Sequence, residues 1–136
     1  MEIVNNINAD LYAIFIINRF MIPRLRARPM RSAILNISSA TGYRLAGRVG
    51  VYSAIKLTLD HYSRILSLEN SDKIDVISLR ALGVTTKMMK FKKGPFMVSP
   101  RAFARSSLVD LLAQETASFG HPRHKLMNSL MFARLN

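Results

Sequence analysis

The spacing of apolar residues predicts a long helix at the start of the chain. Apolar positions recur near helical intervals, and this pattern stops around Pro29. These positions are Ile3, Val4, Ile7, Leu11, Ile14, Phe15 and Ile22. The sequence therefore predicts one helix over residues 2–28, most of which would be buried in the core.

Two short apolar runs are typical of buried parallel strands. SAILNISS, residues 32–39, enters a serine-rich turn, and KIDVISL, residues 73–79, has the same form. Between them, residues 50–69 predict a helix with one apolar face, formed by Val51, Ile55, Leu59, Tyr62 and Leu66. The order strand, helix, strand predicts a βαβ unit with a right-handed crossover.

The last third of the chain predicts two more helices. Ser99 is a good N-cap and Pro100 suits the first helical position, so a helix is expected over residues 99–114. Another helix is expected after His121 and Pro122. The predicted fold class is α/β, a partial Rossmann-like, doubly wound parallel sheet made of one βαβ unit plus flanking helices. With 136 residues the chain suits one domain, or a piece of one.

Composition removes several classes of site. The chain has no cysteine, so neither disulfides nor thiolate metal sites are available. His121 and His124 lack a neighbouring acidic or thiol ligand, and we predict no metal site. The start, MEIVNNINAD, does not resemble a secretory signal, and the apolar run 11–17 is too short to span a bilayer. We expect no membrane span or targeting signal, and a cytoplasmic location if the chain is native as it stands.

The net charge is +12, and Lys and Arg cluster in two basic runs, RLRARPMR at 24–31 and KMMKFKK at 87–93. Solvated surface is one explanation. The others are a site for a phosphate-bearing cofactor or CoA thioester, an anionic membrane surface, or nucleic acid. No helix-turn-helix, zinc finger or RNP pattern occurs in the sequence. We therefore expect no nucleic-acid partner.

The segment ISSATGYRLAGRVGVYSAIK, residues 37–56, carries the candidate chemistry. Tyr52 and Lys56 are four residues apart on the predicted helix, so their side chains share one face. A nearby ammonium stabilises a phenolate, which makes a tyrosine a better proton donor. Ser39 ends the preceding strand, at the edge where doubly wound sheets bind ligands. This pattern suits carbonyl reduction, with Ser39 orienting a ketone oxygen and Tyr52 protonating it.

These motifs resemble the short-chain dehydrogenase/reductase family. ILNISSATG followed by YSAIK is similar to the active-site segment of that family, and the resemblance covers nearly the whole chain. Within the family, NRFMIPRL at 18–25 and FGHPRHKLMN at 119–128 resemble the group of very-long-chain 3-oxoacyl-CoA reductases and 17β-hydroxysteroid dehydrogenases. The resemblance implies NADPH-dependent reduction of a 3-oxoacyl-CoA in fatty-acid elongation at the endoplasmic reticulum, or of a steroid ketone in some members.

The resemblance also implies roles for individual residues. Ser39, Tyr52 and Lys56 would be catalytic, and Tyr52 and Lys56 would bind the cofactor together with Val84 and Thr86, which would touch the nicotinamide amide. Asp10 occupies the place of the asparagine that usually serves the proton relay, and its charge would compete for Lys56. A homodimer through residues 2–28 and 50–69 is implied as well.

The family's glycine-rich dinucleotide loop has no counterpart in this sequence. Gly42, Gly47 and Gly50 lack the G-x-G-x-x-G spacing and are expected to serve turns. Residues 1–136 are therefore expected to form a single partial domain, the C-terminal catalytic half without the dinucleotide-binding half.

Three functional hypotheses follow from this partial domain. The first is a 3-oxoacyl-CoA reductase fragment. The second is a steroid 17-ketone reductase acting by the same chemistry. The third is a non-catalytic relic or interaction module that keeps Ser39, Tyr52 and Lys56 but cannot hold a dinucleotide. We expect no turnover by the isolated chain, because positioning of the nicotinamide supplies much of the reaction.

Overall fold

The computed structural model describes residues 2–43 and 49–132; Gly47 lies outside these ranges. Helices and strands alternate, and they include a short third strand that the apolar pattern does not predict. In chain order they are α1 (Glu2–Ile7), a π-helical segment (Asn8–Tyr12), α2 (Ala13–Arg26), β1 (Ser32–Ser39), a 3₁₀ turn (Ala40–Tyr43), α3 (Gly50–Glu69), β2 (Ile74–Ala81), α4 (Pro100–Leu112), β3 (Ala117–Ser118) and α5 (Pro122–Phe132).

The sheet has three parallel strands in the order β1-β2-β3. Helix α3 connects β1 to β2, so the predicted βαβ unit and α/β fold class are confirmed. In the β1–β2 register Ser32 lies beside Ile74 and Ser39 lies beside Ala81. Because the strands are parallel, the residues that follow Ser39 and Ala81 emerge at the same edge of the sheet, which we call the carboxyl edge.

The core lies between α3 and the sheet. Leu59 of α3 and Ile74 and Ile77 of β2 are fully buried. A cluster of Leu66, Ile74 and Val76 extends this core, with Ile22, Leu25, Ile34 and Tyr62 packed against it. The predicted apolar face of α3 is confirmed at its centre, whereas Val51 at its start is 40% exposed.

Residues 2–26 are helical as predicted, but the prediction that this region is mostly buried is wrong. In the part of α1–α2 whose burial is described, only Asn18 is buried. Apolar residues occur on several sides of the helix, whereas only one side packs against α3 and β1. The exposed apolar residues are Ile3, Val4, Ile7, Tyr12, Ile17, Phe20 and Met21. The helix therefore presents a second apolar surface to its surroundings.

The C-terminal helices begin where the sequence predicts. The Ser99 hydroxyl accepts a hydrogen bond from the Ala102 backbone N–H at 3.2 Å, and Pro100 opens α4. Helix α5 begins at Pro122, directly after His121. No helix within the described ranges is long and apolar enough to cross a bilayer.

A buried ionic cluster ties α3 to β2 and to the turn after Ser39. The Asp60 carboxylate is fully buried and accepts hydrogen bonds from Arg80 at 2.8 and 3.1 Å and from the Ser78 hydroxyl at 2.6 Å. The Tyr43 hydroxyl also donates to Asp60, and its ring lies 4.0 Å from the Arg80 guanidinium carbon. The cluster therefore links the helix, the strand and the 3₁₀ turn.

Hydrogen bonding keeps Asp60 ionised despite its burial. Burial opposes ionisation of the carboxyl, but the hydrogen bonds from Arg80, Ser78 and Tyr43 outweigh that cost and hold its pKa below the usual value. A carboxyl with a lowered pKa in the folded state contributes stability above its unfolded pKa. That contribution is lost as the pH falls through the folded pKa.

We predict that Asp60→Asn lowers the free energy of unfolding at pH 7 by about 3 kcal/mol, because it leaves Arg80 without its charged partner. The deficit should shrink below about pH 4. There the wild-type carboxyl becomes protonated first in the unfolded state and, at lower pH, in the folded state as well. Urea unfolding at several pH values measures both effects.

The matched control is Asp72→Asn, which removes an ion pair with Arg26 from an exposed position. Its effect at pH 7 should be smaller, because water screens exposed ion pairs. Equal losses in the two variants, or a deficit for Asp60→Asn that does not change with pH, would contradict the assignment of Asp60 as an ionised structural group.

Candidate active site

Ser39 lies at the carboxyl edge of the sheet, as predicted. It is the last residue of β1 and is 7% exposed. Its hydroxyl donates to the Ala81 carbonyl at 3.4 Å and accepts from the Thr41 backbone N–H at 3.3 Å and the Thr41 hydroxyl at 2.9 Å. These contacts hold the hydroxyl between the ends of β1 and β2.

The turn after Ser39 packs directly on helix α3. A Cβ at Gly42 would lie 2.8 Å from the backbone nitrogen of Leu57, closer than packed atoms allow. Glycine therefore permits the turn to approach the helix beside Lys56. Ser38 strengthens the same contact, because its hydroxyl donates to the Lys56 carbonyl at 2.6 Å. Gly42 belongs to a turn as expected, whereas Gly50 is the first residue of α3.

Tyr52 and Lys56 lie on one face of α3, as their spacing predicts. The Lys56 ammonium is 5.6 Å from the centre of the Tyr52 ring. Lys56 is only 8% exposed, and its ammonium donates to the Ile37 carbonyl at 3.3 Å. The cation is therefore held beside the phenol by strand β1, two residues before Ser39. This arrangement can stabilise negative charge that develops on a phenol oxygen.

Asp10 faces Lys56 across the interface between the first helix and α3. Its carboxylate lies 3.5 Å from the Lys56 ammonium, and its side chain is 38% exposed. The π-helical segment carries Asp10, whereas Asn8 in the same segment is exposed. Lys56 is thus shared between the Asp10 carboxylate and the side of α3 that carries Tyr52, which is the competition that the sequence suggested.

Val84 and Thr86 follow β2 at the carboxyl edge. Val84 forms a single parallel bridge with Val98, through hydrogen bonds from Thr85 N–H to the Val98 carbonyl at 2.8 Å and from Val98 N–H to the Gly83 carbonyl at 3.0 Å. The Thr86 carbonyl accepts from the Met89 and Phe91 backbone N–H groups at 3.1 and 3.0 Å. Both residues are partly buried.

A buried histidine supports this segment, and sequence reasoning gave it no structural role. The His124 ring is fully buried, with Nε2 3.2 Å from the Gly83 carbonyl and Nδ1 3.3 Å from the Phe119 carbonyl. His124 therefore joins α5 to the backbone that precedes Val84. Residues 2–43 and 49–132 include no group of three or more His, Asp or Glu side chains placed to hold a metal.

The site residues converge from separate elements onto one edge of the sheet. Strand β1 supplies Ser39, helix α3 supplies Tyr52 and Lys56, and the segment after β2 supplies Val84 and Thr86. Chemically, the edge combines a hydroxyl, a phenol and a buried ammonium. These are groups that can orient a carbonyl, protonate its oxygen and stabilise the resulting phenolate.

The sequence of this chain is similar to those of known reductases. No model of a known protein family matches the chain. Over 137 residues it is 30% identical to very-long-chain 3-oxoacyl-CoA reductase-B of Danio rerio, a match that covers 96% of this chain and 43% of that protein. It is 33% identical over 127 residues to the very-long-chain 3-oxoacyl-CoA reductase of Rattus norvegicus, covering 91% and 40%. The chain thus spans less than half the length of these relatives.

The fold is also similar to that of solved reductases. The crystal structure of 3-ketoacyl-(acyl-carrier-protein) reductase from Brucella melitensis complexed with NADH matches with a TM-score of 0.73 and 19% identity, over 88% of this chain and 54% of that one. The relatives by sequence and the neighbour by structure agree with the motifs around Ser39 and Tyr52. The chain therefore belongs to the short-chain dehydrogenase/reductase family.

Proposed function

We propose that this chain carries the catalytic half of a nicotinamide-dependent ketone reductase acting on 3-oxoacyl-CoA. The observation that carries the proposal is the buried Lys56 ammonium, held beside the Tyr52 ring at the sheet edge that also carries Ser39. The names of the Danio rerio and Rattus norvegicus relatives support the 3-oxoacyl-CoA substrate, and the Brucella melitensis complex with NADH supports a nicotinamide cofactor.

In the proposed reaction, Ser39 donates a hydrogen bond to the ketone oxygen and orients the carbonyl. When bound, the cofactor supplies the hydride that adds to the carbonyl carbon. Tyr52 gives its phenolic proton to the oxygen, and the product is a 3-hydroxyacyl thioester. Lys56 stabilises the phenolate that remains. Solvent then returns a proton to Tyr52.

The residues present fit the nicotinamide end of the cofactor. The Lys56 ammonium and the Tyr52 hydroxyl are suited to hydrogen-bond a ribose, and the Val84–Thr86 backbone is suited to an amide. His124 contacts the Gly83 carbonyl and Val98 pairs with Val84, so both residues support that backbone. No residue of this chain offers a glycine-rich cradle for the pyrophosphate. Consistent with the family resemblance, we propose NADPH as the cofactor and the endoplasmic reticulum as the location of the whole protein.

The first test places the chain in a complete reductase, because the isolated chain is expected to have no turnover. A chimera in which this chain replaces the matching segment of the Danio rerio relative should oxidise NADPH with a 3-oxoacyl-CoA. Tyr52→Phe should lower kcat by roughly 10²–10⁴-fold, because the general acid is lost. Tyr62→Phe, on the same helix but packed against Phe15, is the matched control and should retain activity.

Three results would contradict the proposed function or the expectation about the isolated chain. A folded chimera without activity would favour the non-catalytic interaction module. Activity with a steroid 17-ketone but not with 3-oxoacyl-CoA would favour the steroid reductase. NADPH oxidation by the isolated chain with 3-oxoacyl-CoA would overturn the expectation that the dinucleotide-binding half is needed.

The Asp10–Lys56 ion pair gives a second prediction. Asp10→Asn in the chimera should raise kcat by up to about fivefold, the equivalent of one partly exposed ion pair, because Lys56 is released to stabilise the Tyr52 phenolate. The change should disappear in the background of Lys56→Ala. Asp72→Asn is the control for loss of one negative charge. A fall in kcat with Asp10→Asn would instead make the carboxylate part of the proton relay.

We also propose that the chain forms a homodimer through residues 2–28 and 50–69. The support is the exposed apolar surface that α1 and α2 present, together with Leu57, Ile65 and Leu68 on α3. An apolar surface of this extent favours association.

The dimer predicts that the thermal midpoint rises with protein concentration. Phe20→Glu should abolish that dependence and halve the mass measured by light scattering. Leu112→Glu, which changes an 83% exposed leucine on α4, should leave both properties unchanged. A sharp unfolding transition that is independent of concentration in the wild-type chain would exclude the dimer.

A further inference from the structure

The two basic runs differ in how far the fold neutralises them. In the first run, Arg26 forms an ion pair with Asp72 at 2.7 Å and Arg31 pairs with Asp75. We call the second run, residues 87–93, the lysine loop. Within the described ranges, none of its four lysines lies within 4 Å of a carboxylate. Among the described residues, two of the four arginines of the first run are thus paired with carboxylates, whereas none of the four lysines of the lysine loop is.

The lysine loop also exposes large apolar side chains between its lysines. Met88 is 88% exposed and Phe91 is 65% exposed. The alternation of Lys87, Lys90, Lys92 and Lys93 with these residues places cationic and apolar groups on one short segment. Neither group packs against the core. Proteins that enter the boundary between lipid headgroups and acyl chains combine exposed apolar side chains with lysines in this way.

The backbone holds the loop in a tight turn. Lys90 and Phe91 have φ values of 49° and 51°, a conformation that side chains such as phenylalanine rarely adopt. Hydrogen bonds within the turn maintain it, from Phe91 N–H to the Thr86 carbonyl at 3.0 Å and from Lys92 N–H to the Met89 carbonyl at 3.1 Å. The turn thus holds the exposed Phe91 in a conformation that is costly for a phenylalanine.

The loop lies at the same edge of the sheet as the candidate active site. It follows β2, whose last residue Ala81 pairs with Ser39, so it extends from the carboxyl edge. The first basic run precedes Ser32 and lies at the opposite edge. Docking of the lysine loop on a surface would therefore turn the active-site edge, and not the first basic run, toward that surface.

From these observations we infer that the lysine loop docks on an anionic phospholipid surface. The lysines contact the phosphate and carboxylate groups of the headgroups, and Met88 and Phe91 enter the boundary of the acyl chains. CoA alone would explain the lysines but would not need exposed Met88 and Phe91, whereas a 3-oxoacyl-CoA could contact both, and its titration is therefore part of the test. A lipid surface accounts for both sets of side chains. This inference does not depend on turnover or on cofactor binding.

The first experiment sediments the full 136-residue chain with sucrose-loaded vesicles. Vesicles of phosphatidylcholine with phosphatidylserine at 3:1 should bind the chain, and vesicles of phosphatidylcholine alone should bind it much more weakly. Binding to the anionic vesicles should weaken as NaCl rises from 0.1 to 0.5 M, because salt screens the lysines. Equal binding to both kinds of vesicle would overturn the inference.

Matched variants separate the lysine loop from the overall charge. Lys92→Gln with Lys93→Gln should weaken binding to the anionic vesicles about thirtyfold, at about 1 kcal/mol for each lysine near the surface. Arg24→Gln with Arg28→Gln removes the same charge from the first run and should change binding by less than about threefold. Equal weakening by both pairs would overturn the inference, because it would show an effect of net charge alone.

The apolar contribution has its own pair of variants. Met88→Ser with Phe91→Asn should weaken vesicle binding about tenfold, since two exposed apolar groups can no longer be buried; asparagine is tolerated at positive φ. Leu108→Ser with Leu112→Ser removes two exposed leucines from α4, outside the proposed dimer surface, and should not weaken binding. Circular dichroism establishes that each variant retains its helices. Unchanged binding by folded Met88→Ser/Phe91→Asn would exclude insertion.

Titrations with CoA and with a 3-oxoacyl-CoA test the competing ligands. If the chain binds either one, loses that binding with Lys92→Gln/Lys93→Gln and does not bind anionic vesicles, the lysine loop is a site for a soluble phosphate-bearing ligand and the membrane inference is wrong. Vesicle binding that persists in excess CoA supports docking on lipid.

Discussion

Packing of α3 against β1 and β2 is the contact on which the rest of the structure depends. Leu59 fills the centre of this contact, and the ionised Asp60 beside it joins the helix to Arg80 and Ser78 of β2. Apolar burial supplies most of the stabilisation, and the ionic cluster adds directional hydrogen bonds between the helix and the strand. The position of Tyr52 and Lys56 relative to Ser39 is a direct result, since all three lie on elements of this one unit.

The same packing explains how the chain holds a cation in a largely buried place. Lys56 is accommodated because the Ile37 carbonyl and the Asp10 carboxylate both face its ammonium. An ammonium without such partners would be costly to bury. The carboxylate that stabilises the buried lysine also competes for its charge, so the site combines structural support with a limit on its chemistry.

Much of the fold could be predicted from local sequence. Strand β1 and helix α3 have the predicted bounds, because their apolar patterns are clear and their ends carry turn residues. Strand β3 has two residues, Ala117 and Ser118, and no pattern that short is informative. Exposure of the first helix was not predictable, because apolar residues alone do not reveal which side of a helix meets a partner.

The positions of the candidate site residues in the fold were predictable, whereas the contacts that support them were less so. Tyr52 and Lys56 share a helix face by spacing alone, and Ser39 follows from the end of an apolar strand. In contrast, His124 meets Gly83 across 41 residues of sequence, and Asp60 meets Arg80 across 20. Such contacts depend on the three-dimensional arrangement of elements, which the pattern of a single sequence does not encode locally.

The π-helical segment at Asn8–Tyr12 has a consequence for how this chain could change over time. A π-turn accommodates one residue more than an α-turn, and each α-helical residue rotates the chain by about 100°. Because the π-turn already absorbs its extra residue, loss of one residue from this segment would restore a regular helix and leave the faces of α1 and α2 nearly in phase. Deletion of Asp10 itself would thus remove the carboxylate that faces Lys56 and leave the exposed apolar surface of the helix in place.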